Sequence, residues 1–211
     1  MDALMTPAEV ESHFTRSDGS FAFARWGRPI VPIVFGVDDA SLSVIKGAVE
    51  AVVALAGHKM AETDPELGAN LLFFFVADWS ELRGVKDLGE MIPDLTSVVA
   101  RLEAAGASQY RAFRFDADGA IRACFVFLRM DAELAAMPAE DLALGQAAQA
   151  ILLWGDRAFA TRAPLARLED GRTVLRPEVG AMIKAGYDPV LPNADADKSL
   201  ALRLYARMMA G

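Results

Sequence analysis

The chain has 211 residues, 54% of them hydrophobic, with 21 Lys and Arg against 29 Asp and Glu, a formal charge of -8 and a pI near 4.8. A chain of this length can bury about 70% of the surface its unfolded form exposes, which excludes wholesale disorder and gives one large domain or a domain of two lobes. The acidic balance disfavours bulk attraction to nucleic acid or to an anionic membrane, and no run of Lys or Arg supplies a local exception.

The single cysteine, Cys124, excludes an intramolecular disulfide. Set in Ala123-Cys124-Phe125-Val126, with no base in view to make a thiolate, it reads as a small buried hydrophobe. The first residues, from Met1 through Thr6 and Pro7, lack the basic start and apolar block of a secretory leader. The longest apolar run, residues 71–77, is strand-sized and too short for a bilayer. The expectation is a cytoplasmic protein with no membrane and no nucleic-acid partner. Its preference for Arg over Lys, with abundant Ala, suggests a bacterial genome rich in G and C.

Along the chain, Thr6-Pro7-Ala8-Glu9 reads as a helix start, with Thr6 as N-cap and Pro7 in the first turn. That helix ends before the turn cluster Ser17-Asp18-Gly19-Ser20. Residues 30–37 are β-branched and apolar and read as a strand; Pro32 marks an edge or a strand start. Asp39 is a candidate N-cap for a helix to about Ala56, with apolar residues at helical spacing and Gly57 as the stop. Residues 71–77 read as a central strand. Residues 80–105 read as two helices interrupted near Pro93. The runs 110–115 and 121–130, joined by Asp116-Ala117-Asp118-Gly119, form a hairpin pattern. A calcium loop starting at Asp116 would need Glu at its twelfth position, which is Phe127. Residues 138–154 form the next helix, with Glu140 and Asp141 in its first turn. Residues 157–175 read as a loop-rich connection, 177–185 as a short helix closed by Gly186, and 196–209 as the last helix.

This order predicts an α+β protein: an N-terminal helix and turn at 1–24, then a single domain at 25–211. Within it, residues 25–156 hold a mixed sheet packed with helices, and residues 157–211 form a smaller C-terminal helical lobe.

Tests for known chemistry return little. The two histidines, His13 and His58, fall in different elements, and a cation at His58 would suit a helix C-terminus. No Walker-type loop, dinucleotide fingerprint or Gly-x-Ser-x-Gly elbow occurs, and no ligand spacing points to zinc. Sequence gives no basis for choosing a catalytic pair among 29 acids. No cofactor is expected.

The helix that begins Glu140-Asp141-Leu142 and runs through Gly145-Gln146-Ala147-Ala148-Gln149 to Trp154-Gly155-Asp156 carries a more specific pattern. It is followed by a helix ending in Tyr187-Asp188-Pro189, and preceded by Arg25-Trp26 before the first strand and Ala69-Asn70 before the second. Over about residues 25–208 the chain resembles a group of uncharacterised bacterial proteins of zincin-like, metalloprotease-like organisation. The zincin motif His-Glu-x-x-His places two zinc-binding histidines one turn apart, with a Glu between them that activates the bound water. In that register Gly145 takes the first His position, Gln146 the Glu position, Gln149 the second His position, and Leu152 the position of the downstream Gly. Gly has no ligating side chain, and a neutral amide is a poor zinc ligand and no general base. The resemblance therefore implies a degenerate metalloprotease, a pseudoenzyme without zinc or peptidase chemistry, whose candidate cleft at Gly145, Gln146 and Gln149 binds a protein or peptide partner. The plain alternative is that the two glutamines bond to neighbouring backbone or water and that Trp154 anchors the core. Two other functions stay open: a hydrolase with converging acids of raised pKa, and a structural or assembly subunit with a flat apolar patch.

Overall fold

The protein is described by a computed structural model over residues 5–210. Residues 1–4 and 211 lie outside the described residues, and the expectation drawn from the first residues of the chain falls largely on them. The first helix, α1 (Pro7–Phe14), opens with a reciprocal cap: Thr6 Oγ1 accepts from the Glu9 amide at 3.3 Å, while Glu9 Oε2 accepts from the Thr6 amide at 2.7 Å. After β1 (Phe23–Ala24) comes β2 (Pro32–Phe35), shorter than the predicted run. Gly36, at φ 84°, ends it, because a Cβ there would lie 2.1 Å from the Phe75 carbonyl oxygen. Helix α2 (Asp39–Leu55) is capped by Asp38, whose carboxylate accepts from the Ser41 amide, so Asp39 is the first helical residue and not the cap.

Then follow β3 (Leu71–Val76), a 3-10 turn at Trp79–Gly84, α3 (Leu88–Met91) and α4 (Leu95–Ala104). The predicted hairpin is present as β4 (Gln109–Phe115) and β5 (Ile121–Arg129). Asp116 and Asp118 serve that turn: Asp116 pairs with Arg28, and Asp118 accepts from Asn193 Nδ2 and the Ala120 amide.

The sheet has the order β2-β3-β5-β4, with the first three strands parallel and β4 antiparallel to β5. β3 and β5 are central and apolar on both faces, as continuous hydrophobic runs must be. Short α5 (Ala132–Ala135) leads to α6 (Ala139–Ala150), and β6 (Leu165–Arg167) pairs with β7 (Thr173–Leu175). Helix α7 (Pro177–Gly186), β8 (Ala194–Asp195, paired with β1) and α8 (Leu200–Ala210) complete the chain. One face of the sheet packs Phe74, Phe125 and Phe127 on α3, α4 and Trp79. The other packs Phe73, Cys124 and Val126 into a larger core shared by α1, α2, α6, α7 and α8. The result is a mixed sheet between two helical layers. Among the described residues, no helix is long and apolar enough to cross a membrane.

Residues 157–175 contain the β6–β7 hairpin, turning at Gly171 with φ 86°, where the sequence reading expected only loop. α6 stops at Ala150 rather than at Trp154, for a reason visible in its partners. Trp26 Nε1 donates to the Ala150 carbonyl at 2.9 Å and the Tyr187 hydroxyl donates to that of Ile151 at 2.8 Å. Side chains distant in sequence thus satisfy carbonyls a helix end leaves open. The backbone then turns into strand-like pairing, with Leu152 opposite Arg25 and the Leu153 amide on the Ala24 carbonyl.

Candidate functional site

The two edges of the sheet differ. On β2, Val31 bonds toward β3, which turns Pro32 and Val34 outward, and Pro32 has no N–H to offer a neighbour. On β4, the Arg129 amide donates to the Ser108 carbonyl. Continuing that antiparallel register, Tyr110, Ala112 and Arg114 bond toward β5, and Gln109, Arg111 and Phe113 carry their backbone N–H and C=O groups to the free edge. This second edge is only partly blunted: Arg114 Nη1 donates to the outward Phe113 carbonyl at 3.0 Å, and the register shifts between Arg114 and Phe115.

Beside it lies α6. Gln146 is buried, at 3% exposure. Its Oε1 accepts from Arg111 Nη2, and its Nε2 donates to Gln109 Oε1 at 2.9 Å, which also accepts from Arg111 Nη2 at 3.2 Å. Gln149, one turn later, donates from Nε2 to the Gly145 carbonyl at 3.1 Å and faces a cleft. Gly145 lies beneath Leu165 of β6, with room for a Cβ at 3.6 Å from that side chain. The three residues singled out by sequence are therefore spread across separate surroundings: Gln149 on the cleft wall, Gln146 behind the wall holding Arg111, and Gly145 covered by the hairpin.

The cleft, about 550 Å³, runs between β4 and the chain that leaves α6. Arg111, Phe113 and Gln149 form one side; Trp154, Phe159 and Arg16 face them. Trp154 stacks on Phe14 with centroids 5.2 Å apart, meets Phe159 edge-on at 5.1 Å, and donates from Nε1 to the Ala148 carbonyl at 3.0 Å. The core-anchor reading of Trp154 and a place on the cleft wall are both satisfied. Gly155 passes so close to α1 that its N–H bonds the His13 carbonyl at 2.7 Å, which brings Arg16 to the cleft. Asp156 also lines the cleft, with its carboxylate accepting from Ser17 Oγ.

The electrostatics single out Arg111. Three arginines, Arg28, Arg111 and Arg129, have a buried Nε with no hydrogen-bond partner. Arg28 is neutralised by Asp64, Glu66 and Asp116, and Arg129 by Asp131. Arg111 has only the neutral amide oxygens of Gln109 and Gln146. The thiol of Cys124 beside it is no counter-ion, since burial pushes that group up to about 12. Burial brings Arg111 itself down to about 10, which still leaves it charged at neutral pH. Among the described residues it is a desolvated cation without an anion, at an open strand edge.

No family model, no curated protein and no solved structure matches this chain.

The other sequence candidates resolve into structural positions. His13 Nδ1 contacts the Glu9 carbonyl at 2.8 Å, and its ring packs edge-on against Trp154 and Phe159. His58 does not act as a cation at the end of α2: burial lowers its pKa, and Nε2 bonds the Arg28 carbonyl at 2.9 Å. Among the described residues no three His, Cys, Asp or Glu side chains are grouped to hold a metal ion. Among the described residues, the carboxylates displaced from their ordinary range are displaced downward by hydrogen bonds, as at Asp18, Asp38 and Asp118. Sequence reasoning passed over Arg111. The available signal was a charged residue sharing strand parity with Phe113, on the side that faces the core.

Proposed function

We propose that this chain is a non-catalytic binding protein that takes an extended peptide or protein segment along β4, on a scaffold of zincin-like organisation that has lost its zinc site. The observation that carries the reading is the outer edge of β4, where Gln109 and Arg111 keep N–H and C=O groups unpaired and Phe113 an unpaired N–H, its carbonyl taking Arg114 Nη1 at 3.0 Å, beside a cleft with an aromatic wall. Strand addition supplies affinity through main-chain bonds and specificity through pockets for alternate side chains. The zincin resemblance would assign Gly145, Gln146 and Gln149 to ligand and base positions, and α6, the helix that holds them, reaches β4 through Gln146.

The test is to select extended peptides from a displayed library and follow amide exchange in the complex. Protection should rise at Gln109, Arg111 and Phe113. Phe113→Pro removes an outward-facing donor that the sheet itself does not use and should abolish binding, whereas Phe113→Ala should weaken it only partly. Protection elsewhere, or full binding by the proline variant, would overturn strand addition. Calorimetric titration with zinc should show no saturable site; a stoichiometric one would overturn the loss of metal.

A second reading, an assembly subunit, is favoured by a groove of about 750 Å³ lined by the exposed side chains of Ile33, Phe35, Leu67, Met91 and Phe115. Sedimentation of the wild type and Phe35→Glu tests it: a wild-type dimer that the charge dissociates supports it, and a wild-type monomer rejects self-assembly.

A further inference from the structure

Resting on the strand-addition reading, we infer that Arg111 is an acid-selecting subsite: the segment bound along β4 carries an Asp or Glu at the position opposite Arg111, with its side-chain carboxylate bound to the guanidinium in the cleft.

The inference begins with side-chain direction. Arg111 shares its strand face with Gln109 and Phe113, and that face looks toward α6. In an added strand the residue opposite Arg111 projects onto the same face, with its Cβ about 5 Å away. A side-chain carboxylate at that position reaches the guanidinium directly. A C-terminal carboxylate lies in the backbone line, along the edge itself, and would have to bend out of it.

The second step is the missing anion. Nη2 is held by Gln109 and Gln146, which fixes the guanidinium plane, while Nε is buried without a partner and Nη1 makes no hydrogen bond among the described residues. Both paired edges of a planar guanidinium include Nη2, so the donor left for a carboxylate in the cleft is Nη1, through a single charge-assisted bond. Its two orienting partners are neutral, so its charge is not spent inside the protein. Gln146 at this position thus has a consequence beyond the loss of a general base: a Glu there would neutralise Arg111 and close the subsite. Arg16 adds a second cation at the exposed mouth, and Asp156, hydrogen-bonded by Ser17 Oγ but still charged, is the one carboxylate on the lining against Arg16 and Arg111.

The third step is the neighbouring position. Phe113 presents an apolar surface to the cleft two residues along, on the same face. The preferred segment therefore alternates, with an acid opposite Arg111 and an apolar side chain two positions away toward Phe113. Since the whole chain carries -8, bulk attraction does not draw in such a segment, and the selectivity is local.

The experiment uses N-acetylated Val/Thr peptides in three forms: an internal Glu with an amidated C-terminus, Gln in its place with the amide, and the Gln peptide as the free acid. Binding is read from Trp154 fluorescence and from the Nε–H signal of Arg111 in a ¹⁵N spectrum. The Glu peptide should bind about tenfold or more tighter than its Gln amide. That ratio should fall to near one in Arg111→Gln and in Gln146→Glu; the second variant keeps the packing if the first does not fold. Equal binding of the two amides would overturn the acid subsite while leaving strand addition standing. Recovery of tight binding by the Gln free acid would replace the side-chain carboxylate with a C-terminal one and overturn the inference as stated. If no peptide binds but glutarate shifts the Arg111 Nε–H signal, the subsite survives and strand addition fails. No peptide binding and no shift would remove both.

Discussion

Arg111 on β4 reaches Gln146 on α6, and the guanidinium meets an amide oxygen where a carboxylate would neutralise it. The contact ties the open edge of the sheet to the helix beside it. It also leaves a charge in a desolvated place without its opposite, a costly arrangement unless something else supplies the anion.

Gln146→Glu should therefore stabilise the protein. The carboxylate gains a charge-assisted bond to Arg111 but loses the donor that now serves Gln109 and must itself be desolvated. We expect a net gain of about 1 kcal/mol at neutral pH, read as a higher urea midpoint with an unchanged slope. Beside Arg111 the new carboxyl would titrate below its unfolded value. Its contribution is then present above that unfolded value and disappears as pH falls through the folded one. A variant that gains nothing at neutral pH would show that Arg111 is already compensated.

A second titration belongs to Asp64, buried at 5% exposure between β2 and β3. Burial alone would raise its carboxyl, but the amides of Leu67 and Glu66, Asn70 Nδ2 and Arg28 all donate to it and hold it at about 2. Asn70 in turn accepts from the Val31 amide and donates to the Pro29 carbonyl, which sets the start of β2. Because the folded value lies below the unfolded 3.8, this stability is complete above about pH 4 and is lost as pH falls toward 2. Asp64→Asn should cost about 2 kcal/mol at neutral pH and flatten the acid limb of a stability-versus-pH curve. An unchanged acid limb would assign acid unfolding to other groups.

Local signals in the sequence were enough for much of the fold. Thr6-Pro7-x-Glu9 gave the first helix because its cap is closed within four residues. Asp118-Gly119 gave the β4–β5 hairpin, and the apolar run at 71–77 gave a central strand. What failed was whatever depends on distant partners. The end of α6 is set by Trp26 and Tyr187, so a helix that read as continuous to Trp154 stops at Ala150. The β6–β7 hairpin has strands of three residues, too short for alternation to register, although Asp170-Gly171 marked its turn. Of the site, the glutamines were legible only through a resemblance. Arg111 was visible as one letter in an alternating run, and its isolation follows only from where Gln109, Cys124 and Gln146 meet it.

The hydroxyl of Tyr187 can be tested apart from its ring. It donates to the Ile151 carbonyl at 2.8 Å and accepts from the Trp26 amide at 3.3 Å, while the ring lies against His58 and beneath Arg25. Burial pushes the phenol's pKa up, so it stays a neutral donor throughout the working range. Tyr187→Phe keeps the ring contacts and leaves both backbone groups without this partner. The expected loss is about 2 kcal/mol in urea unfolding, together with faster exchange of the Trp26 amide. An unaltered exchange rate there would mean that the amide finds its protection elsewhere.

Gly155 sits where two parts of the cleft meet, and adding one methyl group should show how tightly they are joined. A Cβ at that position would stand 2.3 Å from the Thr15 carbonyl oxygen and 3.0 Å from its carbonyl carbon. Those are backbone atoms at the end of α1, where the Thr15 amide bonds back to Ser12, so no flexible side chain can give way. In Gly155→Ala the chain must move off α1, lengthening the 2.7 Å bond from the Gly155 amide to the His13 carbonyl. It would also pull Trp154 from its stack on Phe14. We expect a loss of about 2 kcal/mol, in the range of overpacked sites, and a red-shifted Trp154 emission as the indole gains water. Gly47 is the control. It lies in the exposed middle of α2, and a methyl group added there would meet nothing within 4 Å, so Gly47→Ala should raise stability by about 0.5–1 kcal/mol through helix propensity. If both alanines behave alike, the junction between α1 and the cleft is looser than this spacing requires, and Arg16 is not fixed at the cleft mouth by Gly155.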